Sequence, residues 1–296
     1  MRIAGIRVRV HPLFLALMVL ALYAHVFWDV VILFLIVVIH EFGHVFAARH
    51  YGYHTEYVEL LPFGGVARLA VGTLGWNAKH ETVIAIFGPL MNMVLALAAV
   101  MLHFTRIFPE KWLISFITIN LTIMFFNLLP GLPLDGGRIA RAGLAITEGY
   151  EHATRVVTKM SFIIATVLMI LGVLALWLGY ADVGLLALGF FLLFSAYTVN
   201  KQTRYDLMRF LDSKRRQDGA SAQPLRSLAV LPTVSIGEVA TRFAPGAYHL
   251  IYVHELTERA HEPGGVLAQD VLEEKDILDA IFEGGLWTEP VSQLLL

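Results

Sequence analysis

The chain has 296 residues, of which 57% are hydrophobic and 16% are charged, and its formal net charge at pH 7 is −2. Soluble globular proteins carry about 25% charged residues, so the composition indicates a membrane protein, and the missing basic excess argues against nucleic-acid binding. The sequence has no cysteine, which excludes disulfides and thiolate ligands, so any transition metal must be held by His, Asp or Glu.

Six apolar stretches are long enough to cross a bilayer, which takes about 20 mostly apolar residues. They run approximately over residues 12–28, 30–48, 82–105, 112–134, 160–180 and 183–200. The first stretch follows Arg2, Arg7 and Arg9 and so resembles a signal peptide. It is longer than the apolar part of a signal and lacks a small-residue cleavage site, so we interpret it as a retained span. The predicted fold is an α-helical polytopic membrane domain with six transmembrane helices, residues 1–200.

The basic residues alternate between the two sides of these spans. They cluster at the N-terminus, after the second span, between the fourth and fifth spans, and after the sixth span. The opposite turns hold only Arg106 and Lys111. Cytoplasmic loops carry the excess of Lys and Arg, so we predict a multi-pass protein with both termini in the cytoplasm.

The C-terminal region differs in composition from the spans. Residues 201–224 are predicted to form a linker, and residues 225–296 a small α/β cytoplasmic domain. Within that domain, residues 228–231 and 248–253 have strand-like patterns, and a helical pattern lies near residues 273–282.

The second span carries the motif H-E-F-G-H at residues 40–44. A charge inside an apolar helix costs roughly 2.5–3.5 kcal/mol on insertion scales, so Glu41 requires a partner or a function there. His40 and His44 are four residues apart on one helix face, and both imidazoles can reach a single zinc ion. Glu41 lies beside them and can take a proton from water that zinc activates. The alternative is two buried histidines satisfied by hydrogen bonds.

Asp135 is the best candidate for a third ligand, because a catalytic zinc has three protein ligands and an open position. It follows the fourth span in the segment N-L-L-P-G-L-P-L-D-G-G, residues 127–137. The second and fourth spans both run inward, so the histidines and Asp135 arrive at a similar depth. Proline and glycine break the helix there, which membranes tolerate only where the backbone is buried in protein or lines a wet cavity. The alternative is an ordinary Asp-Gly turn.

Together these two motifs resemble the site-2 protease family of intramembrane metalloproteases. Residues 61–65 (L-P-F-G-G) and 87–90 (F-G-P-L) extend the resemblance, which is strongest to the branch that acts in endospore formation. The family implies a zinc endopeptidase with one zinc ion per chain that cleaves within or near a membrane-associated segment. It makes the zinc ligands His40, His44 and Asp135 and the catalytic base Glu41.

The sporulation branch also implies the substrate and the location. Its member removes the pro-sequence of a sigma factor, so a pro-sigma factor or a similar membrane-associated protein is the expected partner. Membrane-embedded inhibitory or regulatory proteins are expected as well. The location implied is the mother-cell membrane around the forespore.

Two parts of the sequence are predicted to contact the substrate. Asn127 carries an amide that can hydrogen-bond a developing oxyanion or the substrate backbone; the alternative is a contact between helices. A helical substrate must be extended before attack, and the segment around residues 62–68 can offer an edge that pairs with an extended peptide. Phe63, Gly64 and Gly65 of this segment, with Pro133 near Asp135, are the predicted substrate-binding residues; the alternative is a plain loop.

The C-terminal domain resembles a CBS motif, whose beginning matches residues 232–240 and whose end matches residues 269–281. CBS motifs bind adenine nucleotides between two copies, and one copy is visible here. The resemblance implies ATP as a candidate ligand and a homo-oligomer formed through the tail. The alternative is a structural or substrate-docking tail.

Two other functions compete with the protease. An ion- or proton-coupled transporter also places His, Glu and Asp inside the membrane, and a catalytically silent relative would use the fold only to bind partners. Zinc content distinguishes the first from a protease, and activity distinguishes the second.

Overall fold

The computed structural model describes residues 2–3, 6–10, 12–53, 55–61, 64–69, 77–180, 183–216, 223–254 and 269–295. Within these ranges, side chains are described for residues 18–53, 77–180, 183–216, 223–254 and 270–295.

The described chain is mostly helical. Its first seven helices are α1 (Pro12–Tyr23), α2 (Phe27–His50), α3 (Ala78–Thr105), α4 (Glu110–Asn127), α5 (Asp135–Glu148), α6 (Tyr150–Trp177) and α7 (Gly184–Arg215). Of the described residues, only those of α2, α3, α6 and α7 form helices long and apolar enough to cross a membrane, by length and composition. These helices confirm a membrane protein. The count of six spans stays a prediction, since α1 has 12 residues and α4 has 18.

The region between the predicted fourth and fifth spans folds differently from the expectation. The helix α4 ends at Asn127, earlier than the predicted end at residue 134, because Pro130 and Pro133 cannot continue it. A separate helix, α5, then begins at Asp135. A search for apolar stretches does not find α5, because polar residues occupy one of its faces.

Four strands form a sheet beside the first helical hairpin. They are β1 (Arg2–Ile3), β2 (Ile6–Val10), β3 (Thr55–Leu61) and β4 (Gly64–Leu69), in the order β1-β2-β3-β4. The strands β2 and β3 are parallel, whereas β3 and β4 are antiparallel. Because β4 pairs only with β3 among the described strands, it forms one edge of this sheet.

The C-terminal residues form a second sheet with two short helices. The elements are β5 (Leu225–Val230), α8 (Ile236–Thr241), β6 (Tyr248–His254), β7 (Gln269–Glu273) and α9 (Glu274–Phe282). The sheet order is β5-β6-β7, with β5 parallel and β7 antiparallel to β6. The strands predicted near residues 228–231 and 248–253 and the helix predicted near residues 273–282 are confirmed. We call residues 223–295, as far as they are described, the C-terminal unit.

The core of the C-terminal unit includes residues from the membrane helices. Tyr150 at the start of α6, and Leu207 and Phe210 near the end of α7, are buried together with Ile251 and Ile277 of the unit. The segment predicted as a linker from residue 201 is therefore helical as far as Arg215 and packs into this core. The domain boundaries at residues 200 and 224 stay predictions.

A buried ion pair also ties α7 to the C-terminal unit. The Lys214 ammonium lies 2.8 Å from Glu274 Oε1 and donates to the carbonyl of Ala247 at 2.7 Å. Glu274 Oε2 accepts a hydrogen bond from His249 Nδ1 at 2.6 Å, while His249 Nε2 accepts from the N–H of Ala244 at 3.2 Å. The imidazole is therefore neutral, and burial lowers the pKa of His249 although Glu274 opposes that shift. Breaking such a pair strands a buried charge, so the end of α7 is held firmly.

Candidate metal centre

The structure brings the three predicted metal ligands together. His40 and His44 lie one turn apart on α2, and their Nε2 atoms are 3.1 Å from each other. Asp135 is the first residue of α5, and its Oδ2 lies 3.0 Å from His40 Nε2 and 3.2 Å from His44 Nε2. All three residues are buried, with at most 5% exposed. The helices α2 and α5 therefore present three candidate ligand atoms to one point.

The outer nitrogen of each imidazole has an acceptor. His44 Nδ1 lies 2.8 Å from the carbonyl oxygen of Ile84, and His40 Nδ1 lies 3.1 Å from Asn92 Oδ1. The amide of Asn92 is oriented by its own donation to the carbonyl of Asn120. Because both acceptors are oxygens, each Nδ1 carries the proton and each Nε2 has a free lone pair. The helix α3 thus orients both histidines toward the shared point.

This donor set fits zinc. Two imidazole lone pairs and a carboxylate oxygen converge in a buried site, where a bound cation would relieve their mutual repulsion. Ligands at 2.0–2.2 Å in a tetrahedral zinc site lie about 3.4 Å apart. The separations of 3.0–3.2 Å here require only a small outward shift. Three protein ligands leave the fourth position for water or substrate, as in catalytic rather than structural sites.

Arg138 orients the carboxylate of Asp135. Its Nη1 lies 3.8 Å from Asp135 Oδ1, three residues along the same helix. The two carboxylate oxygens therefore have different partners, Oδ1 facing the guanidinium and Oδ2 facing the histidines. This arrangement is typical of metal ligands held in place by outer partners.

Two glycines, one on α3 and one on α5, allow close packing around the metal ligands. A Cβ atom on Gly88 of α3 would lie 2.3 Å from His44 Nε2 and 2.6 Å from His40 Nε2. A Cβ atom on Gly136 would lie 2.1 Å from the carbonyl oxygen of Leu128. A side chain at residue 88 would fill the metal position, and one at residue 136 would push Asp135 away.

Glu41 lies next to the three ligands without being one of them. It is part-buried and interacts electrostatically with His44, His40 and Asp135. Its carboxylate makes no hydrogen bond within the part of the chain that the structure describes. It is therefore free to accept a proton, as a general base requires.

The residues predicted to contact the substrate lie in three different parts of the chain. Asn127 is the last residue of α4, and its Nδ2 donates to the carbonyl of Ile123 at 3.0 Å. Pro133 is exposed in the turn before α5, and Gly64 and Gly65 begin the edge strand β4. Phe63 lies outside the described residues. Within the described ranges, Asn127 and Pro133 make no hydrogen bond to the metal ligands, and the substrate roles of all these residues stay predictions.

Asn92 is a site residue that the sequence motifs do not include, and it is fully buried within α3. A polar residue in an apolar span is costly unless it has a partner, and this signal singles out Asn92 in the sequence. We expect Asn92→Ala to lower the zinc affinity about 10- to 100-fold, because an outer partner of a ligating histidine is lost. Competition between the purified protein and a chelator measures this affinity.

Thr198→Val is a matched control for that variant. Thr198 lies on α7, is part-buried, and donates its hydroxyl to the carbonyl of Phe194 in its own helix at 2.9 Å. Thr198→Val, like Asn92→Ala, removes one polar group from a membrane helix, but it removes no partner of a metal ligand. We therefore expect this variant to keep the wild-type zinc affinity. Equal zinc affinities of the Asn92→Ala and wild-type proteins would contradict an orienting role for Asn92.

Comparison with known proteins agrees with this site. Residues 28–111 and 104–171 match the model of peptidase family M50. Stage IV sporulation protein FB of Bacillus subtilis is 28% identical over 291 residues, which cover 98% of this chain and 96% of that protein. A zinc metalloprotease of Methanocaldococcus jannaschii is 32% identical over 187 residues, so the match spans 53% of that protein and 59% of this chain.

A solved structure supports the same relationship. The site-2 protease from Methanocaldococcus jannaschii superposes with a TM-score of 0.54 at 30% identity. The superposition covers 92% of that chain and 67% of this one. The chain therefore belongs to peptidase family M50, the site-2 protease family of zinc metalloproteases.

Proposed function

We propose that this protein is a zinc-dependent endopeptidase that cleaves a membrane-associated protein at a site within the membrane domain. The observation that carries the proposal is the convergence of His40, His44 and Asp135 at one buried point, with Glu41 beside them. When bound there, zinc activates water and polarises the scissile carbonyl as a Lewis acid.

The residues divide the chemistry between them. His40, His44 and Asp135 hold the metal, and the carboxylate of Glu41 takes a proton from the attacking water. Glu41 can then give that proton to the leaving amine, as a general acid does. Asn127 can hydrogen-bond the substrate carbonyl or its developing oxyanion once its amide leaves the carbonyl of Ile123.

An extended substrate has a place to bind in this arrangement. The edge strand β4 begins at Gly64 and Gly65 and has one side without a partner strand among the described residues. Addition of a peptide strand to such an edge uses backbone hydrogen bonds, which a helical substrate cannot form until it unwinds. We assign Phe63 and Pro133 to the same binding region.

The substrate class follows from the similarity to stage IV sporulation protein FB, which extends over 98% of the chain. We propose a membrane-associated pro-protein such as a pro-sigma factor, approached from the cytoplasm in the mother-cell membrane. Membrane-embedded proteins are the proposed inhibitors.

Several further assignments belong to the same proposal. They are six spans with both termini in the cytoplasm, a CBS-like regulatory role for residues 225–296, adenine nucleotide binding by those residues, and a homo-oligomer formed through them. The packing of α7 into the C-terminal unit supports a regulatory rather than an independent tail.

The test uses the full-length protein in vesicles with a membrane-anchored pro-protein. We expect a chelator to stop cleavage, and about one equivalent of zinc per chain to restore it, because the site has three protein ligands for one ion. Magnesium serves as the control and should not restore cleavage, since it prefers oxygen ligands. Cleavage that continues in the chelated protein would refute the proposal. A protein that is a transporter would not cleave the pro-protein with or without zinc.

A further inference from the structure

A second buried charge cluster lies on the helix that carries Asp135. Arg141 of α5 forms an ion pair with Glu81 of α3, through Nη2 and Oε1, and Glu81 is 1% exposed. Arg141 follows Asp135 by six residues, which is about 9 Å along a helix. It takes no part in the chemistry proposed above. The pair therefore needs a separate explanation, because buried charges are costly.

The α3 end of this pair is close to the groups that orient the histidines. Glu81 lies about one turn before Ile84, whose carbonyl accepts the hydrogen bond from His44. The same helix carries Asn92, the partner of His40. The pair between Glu81 and Arg141 thus fixes α5 against the helix that sets both imidazoles.

The other side of Arg141 faces the C-terminal unit. Its guanidinium carbon lies 5.5 Å from the ring centroid of Tyr150, which is 4% exposed. The Tyr150 ring stacks on the ring of Phe210 in α7, with the centroids 5.2 Å apart, and the backbone N–H of Tyr150 donates to the carbonyl of Phe243 at 3.2 Å. Tyr150 therefore belongs to the core of the C-terminal unit while touching the helix of Asp135.

Arg141 contacts this ring where its Nε has no hydrogen-bond partner. Among the described residues, Glu81 Oε2 and Arg141 Nε are buried without such a partner, and the guanidinium interacts electrostatically with Asp206 of α7 as well as with Glu81. Packing against an aromatic face holds a guanidinium through cation–π attraction. Without that face, the guanidinium can shift, and α5 can shift with it.

We propose that the C-terminal unit sets the position of Asp135 through Tyr150, Arg141 and Glu81, which act as positioning residues for the metal centre. The inference rests on the proposed function, because it assumes that Asp135 is a zinc ligand. Ligand–metal distances in protein sites lie within about 0.2 Å of their typical values, so a movement of α5 that displaces Asp135 from such a distance would weaken zinc binding.

The test compares zinc affinities of full-length variants by chelator competition. We expect Tyr150→Leu to bind zinc about tenfold more weakly, within the range for loss of an outer partner. Tyr150→Phe keeps the ring and should remain within about twofold of wild type, since the hydroxyl is not needed for the cation–π contact. Excess zinc should restore cleavage by Tyr150→Leu, which a collapsed structure would not allow.

A second variant gives an independent measurement, because Tyr150→Leu also removes a buried ring. The double variant Glu81→Gln with Arg141→Gln neutralises the pair without leaving one charge buried alone. We expect it to weaken zinc binding to a similar extent. Arg216→Gln is the control, because it breaks an exposed pair with Asp212 on α7 and should not change the affinity.

The outcomes separate this inference from the proposed function. If Asp135→Ala loses zinc while Tyr150→Leu and the double variant both bind it as wild type does, the inference is wrong and the proposed function stands. If Asp135→Ala binds zinc as tightly as wild type, the assigned metal centre is wrong and the inference fails with it.

Discussion

We expect Glu41→Gln to lose nearly all cleavage, while the purified variant keeps about one zinc ion per chain. Glutamine has the shape of glutamate but cannot take a proton from water. General acid–base catalysis contributes about 10²- to 10⁴-fold to a rate, so we expect a loss of that size. The zinc remains because the three ligands are His40, His44 and Asp135, and Glu41 lies beside them. Cleavage of a coexpressed pro-protein and the metal content of the purified variant provide the two measurements.

Glu148→Gln is the matched control for this variant. Glu148 is exposed at the last position of α5, 13 residues after Asp135 at the first position of the same helix. The substitution changes the same functional group on an element of the same membrane domain, so cleavage should stay at the wild-type rate. Undiminished cleavage by Glu41→Gln would show that another group accepts the proton.

The helical period made the metal centre predictable from the sequence. Residues four apart on a helix share a face, so the H-E-F-G-H motif placed His40 and His44 together without a structure. Asp135 was predictable because two spans that run in the same direction bring their ends to one depth. The structure then places these atoms within 3.2 Å of one another.

The outer partners of the site were not predictable in the same way. Asn92 contacts His40 from another helix, 52 residues along the chain, and such a contact depends on the rotation of α3. The helix α5 lacks the apolarity that identifies spans. Its residue Arg141 pairs with Glu81, which lies 60 residues away in the sequence. A local pattern can single out a polar residue such as Asn92 in an apolar span, but it does not identify the partner, because packing between helices decides which residues meet.

Asp135→Ala has the opposite effect on metal content from Glu41→Gln. We expect the zinc affinity to fall by more than about 100-fold, the upper end of the range for losing an outer partner, because a direct ligand is removed. Arg138 adds to the loss, since its guanidinium would face the site without the carboxylate that it now contacts at 3.8 Å. Chelator competition and metal analysis of the purified variant measure this effect, and Asp212→Ala on α7 is the control for removing a carboxylate elsewhere.

The two variants together separate a ligand from a base. We expect both variants to lose cleavage but only Glu41→Gln to retain zinc, so the metal content would assign each carboxylate its role. His44→Ala should resemble Asp135→Ala, because its Nε2 lies 3.2 Å from Asp135 Oδ2 at the same point. Wild-type zinc content in Asp135→Ala would instead make Asp135 an ordinary turn residue, and the third ligand would have to be sought elsewhere.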